Sequence, residues 1–289
     1  MQIQKIINKK LHNLEQLIPD YKKEFVNANP FPFIIIEDFF NETFLNKILN
    51  QFPNLADQKK STNYFNKNEV KFANNEYSNF PNDIKVIFDF LNSDYFLNFL
   101  QGITDIKEKL IPDYQLNGGG MHEIKKGGLL KIHSDFNRHP TLELDRRLNV
   151  LIYLNKNWEE KYGGHLEFWD RNMESCKKKV LPIFNRMVIF STTDNSNHGH
   201  PDPLNCPDII SRKSIATYYY SKGRPINEID KMFSKNTTYF KDRVGQNNET
   251  DQKYGKLRRL LRSFDIYQKI KIIEKKLFRT GRSKKKREN

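Results

Sequence analysis

The stretch LLKIHSDF, residues 129–136, places an imidazole and a carboxylate two positions apart in an otherwise mostly apolar run. In an extended chain successive side chains alternate between faces, so His133 and Asp135 point the same way and Ser134 the other. Such a pair can hydrogen-bond to itself on a surface, or it can supply two of the donors that a metal ion requires. A further donor stands far downstream, where His198 and His200 fall in STTDNSNHGHPDPL, a turn-rich loop following the apolar run RMVIF. Strands distant in sequence lie side by side in a double-sheet barrel, so one of these histidines can meet the first pair.

Two histidines and one carboxylate on one face of an octahedron leave the remaining positions open. That arrangement suits Fe(II) when both an oxidant and a co-substrate must reach the metal. Beyond His198, the run SRKSIATYYY brings Arg212, with Ser214 on the same face of an extended chain. A guanidinium matches a carboxylate with two parallel hydrogen bonds, which the point charge of a lysine does not. Arg212 and Ser214 can therefore hold the far end of a dicarboxylate that chelates a metal at its near end. A solvated surface charge is the other reading of Arg212.

These residues need strands to position them. GGGMHEIKKGGLLKIHSDF, RRLNVLIYLNKNW, GGHLEFWD, KKVLPIFNRMVIFST and SRKSIATYYYS are short β-branched or aromatic runs separated by Gly, Asn, Asp and Pro, a spacing that predicts an antiparallel sandwich or jelly roll. The first hundred residues read differently. Ile3, Ile6, Ile7, Leu11, Leu14, Leu17 and Ile18 recur at helical spacing, NETFLNKILNQF reads as a helix capped by Asn41, and NDIKVIFDFLNSDYFLNFLQGIT as one or two more. A single strand is expected near Phe33. The fold class expected is α+β, mainly β. Residues 1–110 form a largely helical support with one strand, 111–225 the jelly-roll core, and 226–289 an extension.

A chain of 289 residues with 37% hydrophobic and 13% aromatic content can bury a sizeable core. No apolar run reaches membrane-spanning length and the N-terminus has no signal-peptide pattern, so a cytoplasmic protein is expected. With only two cysteines, Cys176 and Cys206, no disulfide framework is implied, and neither sits in a Cys-x-x-Cys pair, which argues against a zinc ribbon. Charge is uneven: between residues 256 and 289, fourteen Lys and Arg face three acidic residues, so that segment carries +11 of the net +14. Leu257, Leu260, Leu261, Phe264, Ile270, Ile273 and Leu277 recur there at three- and four-residue steps, which predicts a basic amphipathic helix ahead of a disordered RSKKKREN. Docking on its own body, an anionic membrane surface and nucleic acid are the partners such a helix can take.

Taken in order over residues 115–222, His133-x-Asp135, YLNKNW with Tyr153, GGHLEFW, NHGHPDP and Arg212-x-Ser214 resemble the 2-oxoglutarate- and Fe(II)-dependent dioxygenases of the prolyl 4-hydroxylase type. FIIIEDFF is similar to the strand that often opens such domains. The resemblance implies that His133, Asp135 and His198 bind Fe(II), with His198 preferred to His200 because the histidine comes first in related His-Gly-x-Pro sequences. It implies that Arg212 holds the distal carboxylate of 2-oxoglutarate and that Tyr153 hydrogen-bonds the same co-substrate, where a core tyrosine is the other reading. The activity implied is hydroxylation of a prolyl residue or other small substrate by dioxygen, with release of succinate and carbon dioxide and with L-ascorbate as a reductant. Asp135 stands where halide binds in related halogenases, which favours hydroxylation. A non-catalytic barrel that binds membrane or nucleic acid through its tail, a cupin or zinc hydrolase, and a nucleic-acid demethylase are the competing readings. The nearly neutral body weakens the last of these.

Overall fold

The computed structural model describes residues 2–225, 228 and 238–243. The basic helix and tail expected over 256–289 lie outside these residues. Four α-helices occur among them, α1 (Leu14–Asn27), α2 (Glu42–Gln51), α3 (Asn82–Leu91) and α4 (Asp94–Thr104). The strands are β1 (Phe33–Ile36), β2 (Thr62–Asn66), β3 (Glu69–Asn74), β4 (Ile111–Pro112), β5 (Gly120–Ile124), β6 (Leu129–Ser134), β7 (Asp145–Tyr153), β8 (Leu166–Trp169), β9 (Cys176–Val180), β10 (Met187–Ser191), β11 (Asn197–His200), β12 (Arg212–Ser221) and β13 (Tyr239–Phe240). All pair antiparallel in one curled sheet, in the order β1-β10-β7-β12-β5-β3-β6-β11-β8-β9, with β2 on β3, β4 on β12 and β13 on β6. This is the jelly-roll core expected from the strand spacing.

Alternation along the strands separates an outer from an inner apolar layer. Ile34, Ile36, Val150, Ile152, Met187, Ile189 and Ile215 pack against the helices through Leu45, Ile48, Ile87, Phe90, Phe96 and Leu100. Phe33, Val188 and Phe190, one step out of phase, pack inside the barrel with Tyr153, Leu166 and Phe168. Both faces of β1 and β10 are thus covered, which is why FIII and MVIF read as unbroken apolar runs. The described residues form one compact unit.

Several local expectations hold and several change. Asn41 caps α2, its side-chain oxygen accepting from the Phe44 amide at 3.1 Å, and Ser93 separates the two helices of the third apolar stretch. No continuous helix runs over residues 3–18. Two 3-10 turns precede α1 instead, because the backbone at Ile6 and Asn8 bonds to Asn41 and Phe39. Helical spacing of isoleucines records one buried face, and here that face is buried by irregular backbone. The first 110 residues hold three strands rather than one. β3 carries only a short alternation, Glu69-Val70-Lys71-Phe72, and β2 is TNYFN, so neither shows the β-branched apolar run that marks the strands after residue 110.

Candidate active site

β6 and β11 are adjacent, with His133 opposite His198. This places His198 and His200 inside a strand, not in a loop: the backbone of β11 is held by β6 on one side and β8 on the other. Gly199 permits this close approach, since a Cβ there would lie 2.7 Å from both the Leu130 and Lys131 carbonyl oxygens. Asp135 follows directly on β6. The ligand atoms of His133, Asp135 and His198 all lie within 4.8 Å of one another, with Nε2 of His133 3.5 Å and Nε2 of His198 3.3 Å from the Asp135 carboxylate.

The orientation of the two imidazoles is set by main chain. Nδ1 of His133 lies 2.8 Å from the Lys131 carbonyl and Nδ1 of His198 2.9 Å from that of Ser196. Each Nδ1–H donates to a carbonyl, which leaves the Nε2 lone pair facing Asp135. Such second contacts fix the tautomer of a metal-ligating histidine. Burial and the neighbouring His198 hold His133 below its usual value, so it is neutral, as a metal ligand must be.

Asp135 is clamped by residues that the sequence did not single out. Arg146 Nη2 donates to its carboxylate at 2.9 Å and Asn149 Nδ2 at 2.7 Å. Arg146 is itself 1% exposed and lies between the rings of Phe136 and Tyr218, 4.5 and 3.3 Å from their centroids. Burial alone would raise the Asp135 carboxyl, but the Arg146 charge beside it outweighs this and holds the group well below its usual carboxylate value. Simple alternation would put Arg146 and Asn149 on opposite faces of β7. A bulge does otherwise: Tyr219 is opposite Leu148 while Tyr220 is opposite Arg146, so Arg147 is the extra residue and Arg146 shares the inner face with Asn149.

The ligand cluster opens into a cavity of about 280 Å³ lined by Ile124, Leu130, Leu151, Leu166 and Phe190 with His122, His200, Arg212 and Ser214. Arg212 is 5% exposed, donates from Nε to the Gly164 carbonyl at 2.8 Å and from Nη2 to the Tyr153 hydroxyl at 3.2 Å, and has no carboxylate partner among the described residues. A solvated charge is thereby ruled out. Tyr153 is fully buried and lies outside the residues lining the cavity, so its contact is with Arg212. Ser214 lies opposite His122 across β12 and β5. Burial and the Lys71 charge push His122 down to about 3, which leaves a neutral imidazole on the wall. Glu123 faces the other way and accepts from the Leu55 amide and the Ser211 hydroxyl.

The mouth carries further residues absent from the sequence reading. Tyr64, Glu69 and Lys71 come from the β2–β3 hairpin, and Thr238 and Phe240 from the segment of β13, where the Phe240 ring lies 5.4 Å from that of His133. Arg146 and Asn149 were the detectable ones, as polar residues inside the apolar run RRLNVLIY; the hairpin left no such signal.

Comparison with known proteins agrees with this geometry. Residues 119–220 match the family described as the 2OG-Fe(II) oxygenase superfamily. The chain is 24% identical over 234 residues to the prolyl 3,4-dihydroxylase OGFOD1 of Ostreococcus tauri, an alignment covering 74% of this chain and 43% of that protein. It therefore spans about two fifths of the length of the curated relative that it matches. Among solved structures, the fold is shared with a prolyl hydroxylase of Trichoplax adhaerens solved with a peptide fragment of the hypoxia inducible factor (TM-score 0.51, 19% identity, 74% of this chain and 93% of that one). It is shared also with a prolyl 4-hydroxylase of Phytophthora capsici (TM-score 0.52, 18% identity, 87% and 76%).

Proposed function

We propose that this chain, which carries a 2OG-Fe(II) oxygenase domain over residues 119–220, is a dioxygenase that hydroxylates an unactivated C–H bond of a prolyl residue or other small substrate, with release of succinate and carbon dioxide. What supports this most is a single cavity joining the His133, Asp135 and His198 donors to a buried guanidinium that lacks a counter-charge among the described residues. A buried charge without a partner is costly, and a barrel kept only as a scaffold has no use for one.

The donor set, two imidazoles and one carboxylate with open positions, fits Fe(II). When bound, the iron with 2-oxoglutarate supplies the activation of dioxygen. The chain's own residues do the rest. His133, Asp135 and His198 hold the metal, Arg146 and Asn149 keep the Asp135 carboxylate ionised and oriented, and Arg212 with Ser214 holds the distal carboxylate. Tyr153 fixes the guanidinium plane, and the apolar wall of Ile124, Leu130, Leu151 and Leu166 keeps water from the reacting centre. L-ascorbate is proposed as the reductant that keeps the iron divalent. The test is anaerobic loading with Fe(II), then assay of succinate formed from 2-oxoglutarate in air, and mass spectrometry of the host proteome for residues that gain one oxygen atom. Absence of succinate together with zinc that iron does not displace defeats the reading.

Two substitutions probe the assignments. His198→Ala is expected to abolish stoichiometric Mn(II) binding while His200→Ala retains it, because only the His198 ring meets Asp135. The reverse result moves the ligand by two residues. Arg212→Lys is expected to raise the 2-oxoglutarate requirement roughly ten- to a hundredfold with an intact fold, since one charge-assisted hydrogen bond is worth about 1.5–3 kcal/mol. An unchanged requirement places the distal carboxylate elsewhere.

A further inference from the structure

His200 lines the cavity, and its ring has no hydrogen-bond partner among the described residues. It is 3% exposed, and neither Nδ1 nor Nε2 is bonded. A polar group removed from water without a partner costs about 1–3 kcal/mol, so an imidazole kept in this condition on a cavity wall marks the place of a ligand atom. The position along the strand says which one. His198 is opposite Phe168 and Gly199 opposite Glu167 on β8, so the chain from His198 to His200 advances toward Leu166 and Gly164. The Gly164 carbonyl is the group that holds Arg212 Nε. On the other neighbour, His200 is opposite Leu130, and Leu130 lines the same cavity. His200 thus stands on the inner face two residues beyond the metal ligand, at the Arg212 end.

We propose that His200 donates a hydrogen bond to the carboxylate that Arg212 pairs with, and so is a specificity contact for a dicarboxylate 2-oxo acid. The inference rests on the dioxygenase reading above. Neutral or protonated, an imidazole carries at least one N–H donor, so the contact does not depend on titration. Arg212 supplies charge and Ser214 a hydroxyl; the third donor completes the coordination of a carboxylate whose two oxygens offer about four lone-pair sites.

The experiment compares 2-oxoglutarate with 2-oxovalerate, which has the same carbon chain but no distal carboxylate. Each is titrated calorimetrically into Mn(II)-loaded protein, wild type and His200→Leu. Expected for His200→Leu are unchanged Mn(II) stoichiometry, 2-oxoglutarate binding weakened roughly ten- to a hundredfold, and 2-oxovalerate binding unaltered. Succinate assays should show the same rise in KM with kcat retained at saturation, and His200→Gln, which keeps an N–H donor, should recover part of the loss. Equal weakening for both acids, or none for either, overturns the proposal. If the leucine variant does not fold, His200→Met is judged by the same ratio. Failure of the wild-type protein to bind 2-oxoglutarate at all defeats the dioxygenase reading, a different outcome from wild-type binding that His200→Leu leaves intact.

Discussion

Asp135→Ala is expected to leave a protein with no tightly held metal and no succinate release above that of free iron. The carboxylate is the only anionic donor of the cluster, and both Nε2 atoms face it at 3.5 and 3.3 Å. Two imidazoles alone make a weak site. The loss should exceed the roughly ten- to a hundredfold that removal of an outer contact causes. The same change strips Arg146 of its partner. Breaking a buried ion pair from one side costs about 3–5 kcal/mol, so the alanine variant should also melt earlier. Asp135→Asn separates the two effects, because it keeps an oxygen for Arg146 and removes the charge. Metal analysis after dialysis, read beside thermal unfolding, measures both. Stoichiometric iron in either variant would remove Asp135 from the ligand set.

Arg146→Met carries the second large effect. It leaves Asp135 ionised in a buried site with Asn149 as its remaining clamp. The expected loss of stability is again about 3–5 kcal/mol. Its pH dependence has a definite sign. Burial alone raises the Asp135 carboxyl and Arg146 is the largest influence that lowers it, so without Arg146 the carboxyl protonates at higher pH. Metal binding needs the ionised form, and its acid limb should therefore move toward neutrality in the variant. In the wild type, the contribution of Asp135 to folding is present above the unfolded value near 4 and is lost as pH falls through the lower folded value. Mn(II) affinity measured from pH 5 to 8 tests this. An acid limb that coincides with wild type would show that Arg146 does not set the state of Asp135.

Much of the site was legible because its chemistry is local. His133 and Asp135 are two apart on an extended run, and alternation alone puts them on one face; Arg212 and Ser214 follow the same rule. Strand spacing after residue 110 gave the jelly-roll class, since short β-branched runs between turn residues have few other ways to bury themselves. Asn41 gave the cap of α2 by its type and place.

What only the tertiary structure decided was parity and distance. A bulge shifts side chains to the other face of a strand, and its place depends on the partner strand. One at Arg147 turns Arg146 inward, and another on β6 between Leu130 and His133 brings both of those residues to the cavity. His198 and His200 are likewise equal in type and face, and only the tertiary structure shows that His198 is the one opposite His133 and within reach of Asp135. The turn residues around NHGHPDP predicted a loop, yet pairing on both sides made it a strand. The helical period of residues 3–18 likewise yielded to a backbone pairing with residues 39–41, more than thirty positions away. Sequence spacing fixes which neighbours share a face within one regular element, while hydrogen bonds between distant elements decide where that regularity breaks.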